Sequence, residues 1–169
     1  MNFEKTIDDA CQSIIFYNLR SLIDCEKAIK KNPNDHDLSG CTPLILASMN
    51  GDIDVVKYLM TTFDEIDVNV KDSKGNTALF YPSLKGHLDT VKYLSSLPNF
   101  DINATNNNKY TALHYACQGG NLDVVKLLCS VPNIDINADC DRNLRPIDVA
   151  AKNGYIEIIN YLAELPNAI

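Results

Sequence analysis

His114 and Cys117 stand three positions apart. In a helix that spacing sets an imidazole and a thiol on one face, the arrangement a base-activated thiolate nucleophile would need. The remaining chemistry-bearing residues do not build a centre around them. Cys11, Cys25, Cys41, Cys117, Cys129 and Cys140 are separated by 14, 16, 76, 12 and 11 positions, so no turn supplies two thiolates to a metal. No metal triad, acid–base pair or phosphate-binding glycine loop emerges. Small-residue packing therefore explains Cys117 better than catalysis does, and the expectation is a chain that is not an enzyme and needs no cofactor. Asn103-Ala104-Thr105 matches the glycosylation sequon, but the transferase would not meet a cytosolic chain.

Composition narrows the function classes. Of 169 residues, 46% are apolar and 22% charged, which excludes collagenous and disordered chains. A net charge of −7 opposes a phosphate backbone, so no nucleic acid is expected as a partner. The longest apolar runs, such as Leu44 to Ala47, are far below the roughly 20 residues of a membrane span, so no membrane insertion is expected. The first ten residues carry Glu4, Lys5, Asp8 and Asp9 in place of a secretory apolar stretch. A soluble protein of the cytoplasm, with the nucleus as the other compartment, and with free thiols, is the expectation.

The carboxylates Asp54, Asp89, Asp123 and Glu157 recur at a fixed step, which marks architecture rather than acid–base chemistry. TPLILA starts at Thr42, TALFYP at Thr77, TALHYA at Thr111 and RPIDVA at Arg145, giving steps of 35, 34 and 34 residues. Gly51, Gly86, Gly120 and Gly154 keep that step, as do the Asp-x-Asn segments at Asp67, Asp101 and Asp135. The chain divides into an N-terminal helical capping segment (1–36), repeats at 37–71, 72–105 and 106–139, and a C-terminal capping repeat (140–169).

Each unit reads as helix, turn, helix, loop. Thr42, Thr77 and Thr111 are expected N-caps, and Pro43 and Pro146 suit the first helical position. The glycine supplies a left-handed C-terminal residue. The recurrent carboxylate then favours the positive end of the second helix. Ile53, Val56, Leu59 and Met60, matched by Leu122, Val125, Leu127 and Leu128, follow helical spacing. Such short pairs cannot bury both faces alone, so neighbours must stack into a solenoid.

Gly40 to Leu44 reads G-x-T-P-L, and with four periodic copies the chain resembles the ankyrin-repeat family from Asp37 to its C-terminus. The loops Pro98 to Asn103 and Pro132 to Asn137 look like those of ankyrin proteins from parasitic protists. The resemblance implies an all-α solenoid with β-hairpin-like finger loops, first helices lining a concave face and second helices forming the back. It implies that His114 bridges its own turn and the neighbouring hairpin. Phe3 to Lys31 resembles a degenerate first helical pair, with Asn18 in the place of the glycine. Pro82 departs from the pattern: it stands where Ala47, Ala116 and Ala150 do, inside a first helix, and should cost a hydrogen bond.

The resemblance also implies the use of the concave face. Its variable positions fall on Cys41, Met49, Lys74, Asn76, Leu84, Lys85, Asn108, Tyr110, Gln118, Arg142, Leu144 and Lys152, the expected contacts of a protein or peptide partner. Met49, Leu84, Tyr110 and Leu144 are apolar where stacking does not require it, and aromatic and arginine anchors suit an interface. The expectation is a non-catalytic, monomeric protein–protein interaction module. A regulatory subunit or inhibitor acting on another protein's active site is the second reading, and a small enzyme using His114 and Cys117 the third.

Overall fold

The computed structural model describes residues 32–166; the helical pair expected over Phe3 to Lys31 lies outside the described residues. Four helix pairs follow: α1 (Pro43–Asn50) with α2 (Ile53–Thr62), α3 (Phe80–Lys85) with α4 (Leu88–Ser95), α5 (Ala112–Gly119) with α6 (Leu122–Cys129), and α7 (Pro146–Asn153) with α8 (Ile156–Ala163). First helices pack in the order α1, α3, α5, α7, and second helices form a parallel row α2, α4, α6, α8. No strand occurs among the described residues.

Capping chemistry sets the boundaries. The Thr42 hydroxyl accepts the Ile45 N–H at 3.3 Å, and Pro43 and Pro146 open their helices without a donor to lose. Arg145 has no such hydroxyl. There the Asp148 carboxylate accepts the Arg145 backbone N–H at 2.9 Å and its guanidinium Nε at 3.2 Å. Those bonds, the backbone one first, hold the Asp148 carboxyl below its usual range. Gly120 ends α5 at φ 73°, and the Tyr155 ring from the next unit lies where a β-carbon on Gly120 would stand.

One core runs through all four units. Leu44, Ala47, Leu79, Leu113, Ala116 and Ala150 of the first helices and their approaches meet Val56, Leu59, Val91, Leu94, Val125, Leu128 and Ile158 of the second row, all buried in one cluster. Val55 and Val124 are also buried, which the sequence reading did not include, while Ile53, Met60, Leu122 and Leu127 are only partly covered.

The second unit departs from the expected plan. The register of Pro43, Ala112 and Pro146 would start α3 at Ala78, yet it starts at Phe80. Pro82 has no N–H for the Ala78 carbonyl, so the first turn of the helix is lost and Pro82 sits in the first turn of what remains, not in its interior. Thr77 correspondingly does not cap with its side chain. Its hydroxyl is buried without a partner, and its carbonyl accepts the Phe80 N–H at 3.2 Å.

Before each described pair the chain makes a finger, closed at its base by a backbone bond from Asp37 to Cys41, Asp72 to Asn76, Asn106 to Tyr110 or Cys140 to Leu144, with a second backbone bond across each turn. In the first three, the opening Asp or Asn side chain accepts two backbone N–H groups of its own finger. Fingers are joined tip to tip by Ser73 N–H to Ser39 O, Asn107 N–H to Lys74 O and Asp141 N–H to Asn108 O, at 2.9, 3.0 and 3.1 Å. Gly40 and Gly75 take positive φ at the tips, and Lys109 (φ 59°) and Asn143 (φ 52°) adopt the same left-handed turn.

Candidate protein-interaction face

The fingers and first helices share one side of the solenoid, called here the inner face, and the variable positions distribute unevenly over it. Lys74, Lys85, Asn108, Gln118, Arg142 and Lys152 are exposed; Met49, Leu84, Tyr110 and Leu144 are partly exposed. Cys41 and Asn76 are corrected: at 5% and 0% exposure they are withheld from any partner. Cys41 joins the core, and burial first, then Asp37 and Asp72, push its thiol up to about 11. Asn76 is drawn into a polar network that the sequence reading missed. Tyr81 Oη donates to Asp72 Oδ2 at 2.5 Å, Asn76 Nδ2 reaches Tyr81 Oη at 3.2 Å, and Asn106 Nδ2 bridges Asn76 Oδ1 at 3.0 Å and Tyr115 Oη at 3.2 Å. The network ties two fingers to two first helices. Its signal in the sequence is the pair Tyr81 and Tyr115, one repeat apart.

Next to that network lies a cavity of about 220 Å³, lined by Asn106, Asn108, Tyr110, Tyr115, Gln118, Asp141 and Arg142. Four of the twelve expected contact residues meet there. Aromatic packing fixes its walls: Tyr115 meets Phe80 edge-on at 5.2 Å, and Tyr110 stands 6.1 Å from Tyr115 and 5.1 Å from His114. Burial, before any other cause, raises both phenols above their usual range, so both keep their protons. The Asn108, Gln118 and Arg142 side chains have no hydrogen-bond or ion-pair partner among the described residues.

His114 is fully buried and occupied at both nitrogens. Nδ1 accepts the Thr111 N–H at 3.1 Å, which fixes the ring proton on Nε2, and Nε2 donates to the Leu144 carbonyl of the next finger at 2.9 Å. Burial lowers its pKa, so the ring is neutral. Burial also raises the Cys117 thiol far above its usual range. The imidazole has no free nitrogen to take a proton from the thiol. The pair holds the fold together instead of forming a nucleophile and base.

On the opposite loops another set of side chains links the units. Asn34 Nδ2 donates to Glu65 O and its Oδ1 accepts the Asp67 N–H; Asn69 does the same with Asn99 O and Asp101 N–H. Asn103, from the sequon-like triplet, repeats the clasp on the following loop, so its amide is engaged within the solenoid.

Among the described residues no helix is long and apolar enough to cross a membrane. A family model described as ankyrin repeats (3 copies) matches residues 9–106 and 96–168. No curated protein matches the chain.

Proposed function

The chain belongs to the ankyrin-repeat family, and from that premise we propose that it is a non-catalytic module binding an extended protein or peptide partner across the inner, concave face and fingertips. The observation that carries this is the division of labour among polar groups. The opening side chains of the first three fingers and both His114 nitrogens are spent on internal bonds, whereas Asn108, Gln118 and Arg142 surround a cavity with their hydrogen-bonding capacity unused. Partly exposed Met49, Leu84, Tyr110 and Leu144 provide apolar surface beside it. The remaining contacts are Lys74, Lys85 and Lys152 along the same face. The module acts as a monomer. Free thiols at Cys41, Cys117, Cys129 and Cys140 suit the cytoplasm or nucleus.

The test is partner capture by the full chain carrying Leu84→Ala or Tyr110→Ala, with circular dichroism as the control for folding. Weaker capture with an unchanged spectrum is expected, and undiminished capture by both variants would reject this face.

A further inference from the structure

On the second helices the first-turn carboxylates Asp54, Asp89 and Asp123 each stand three positions before a lysine, Lys57, Lys92 and Lys126, and only Glu157 lacks one. On the inner face the carboxylates are already engaged. Asp37 accepts two N–H groups of its own finger, Asp72 is held by Asn76 and Tyr81, Asp141 pairs with Lys109 at 3.1 Å, and Asp148 is bound by Arg145. Of the cations there, Lys109, Arg145 and Lys85 are engaged, the last with the Met49 carbonyl at 2.9 Å, but the side chains of Lys74, Arg142 and Lys152 have no hydrogen-bond or ion-pair partner among the described residues.

Arg142 stands at the cavity between the third and fourth fingers, which Asp141 also lines with its carboxylate paired to Lys109 at 3.1 Å; the uncommitted side chains there can donate, namely the amides of Asn108 and Gln118 and the phenol of Tyr115, which accepts from Asn106 and keeps its proton. A cavity of about 220 Å³ admits one acidic side chain. We infer that this cavity is a specificity pocket for a carboxylate, a Glu or Asp side chain on the extended partner, with Arg142 supplying the charge and Asn108, Gln118 and Tyr115 the hydrogen bonds. The inference rests on the inner-face reading above. The chain's net charge of −7 does not prevent it, because salt screens exposed charges over about 8 Å at physiological ionic strength.

The probes are three Gly/Ser-flanked octapeptides with a central Glu-Glu, Gln-Gln or Lys-Lys, titrated to millimolar concentration into the full isotope-labelled chain and followed by NMR. The Glu-Glu peptide is expected to shift the side-chain N–H signals of Arg142, Asn108 and Gln118. Arg142→Gln should weaken it about tenfold and Arg142→Lys should partly restore it, while the Gln-Gln and Lys-Lys peptides leave those signals in place. Equal shifts from Gln-Gln, no shift from any peptide, or indifference to Arg142→Gln would overturn the acid preference. Partner capture that is lost in Leu84→Ala but unaffected by Arg142→Gln would reject the pocket alone and leave the inner-face reading standing.

Discussion

Asn103 holds Asp135 in place across 32 positions of sequence: its Oδ1 accepts the Asp135 N–H at 2.8 Å while its Nδ2 donates to the Asn133 carbonyl at 2.7 Å. One amide thus satisfies a donor and an acceptor on the next loop, a pairing that needs both halves of the side chain. Asn103→Asp keeps the acceptor and loses the donor; Asn103→Ala loses both. Each is expected to destabilise the fold, Ala by about 1–2 kcal/mol and Asp by less, with the Asp135 amide losing hydrogen-exchange protection in Ala and not in Asp. Equal protection in all three proteins would show that the clasp contributes nothing.

Thr90 is expected to be improved by its own isostere. Its hydroxyl is buried with no partner, in the register where Val55 and Val124 pack in other units. Thr90→Val keeps the shape and removes an unsatisfied polar atom, a gain of about 1–2 kcal/mol readable as a higher denaturant midpoint at unchanged slope.

His114 should make stability depend on pH below neutrality. Burial lowers its folded pKa from the ordinary 6.5, so as pH falls the unfolded chain takes up the proton first. The contribution is complete above about 6.5 and declines as pH drops from there toward the folded value. Protonation would also set a hydrogen on Nδ1 against the Thr111 N–H. Urea unfolding of the wild-type chain between pH 7.5 and 5 should lose more stability than His114→Gln does over the same interval; parallel curves would assign the dependence to other groups.

Pro82→Ala restores an N–H that the Ala78 carbonyl can accept and allows α3 to begin two residues earlier, as its counterparts do. Because Pro82 already lies in a first turn, the gain is expected to be about 1 kcal/mol, below the roughly 3 kcal/mol of a helix-interior proline. A raised melting temperature with slightly greater helical ellipticity is the signature. An unchanged or lower melting temperature would remove strain at this position.

Thr42, Pro43 and Gly51 announced their helix because capping is local: the residue types that satisfy an orphan N–H or a left-handed turn are few, and their partners lie within four positions. The bridges between units were not legible in the same way. Asn69 recurs with the repeat in its Asp-x-Asn segment, but its carbonyl partner lies 30 residues away and the recurrence does not name that partner. The inner face shows the same limit. Cys41 and Asn76 share a finger register with Tyr110 and Leu144, but only the larger two remain partly exposed; Asn76 turns inward because Asp72, Tyr81 and Asn106 offer it three polar partners. Thr77 had the right type and spacing for a cap and failed because a proline five residues later dissolved the turn it would have capped.

The glycine ending each first helix does not carry equal risk along the array. A methyl group on Gly120 would strike the Tyr155 ring of the following unit, whereas one on Gly154 would meet no atom within 4 Å. An inherited lesion at Gly120 would therefore travel, loosening the joint between two units as well as the bend it forms, while the same lesion at Gly154 would stay where it arose.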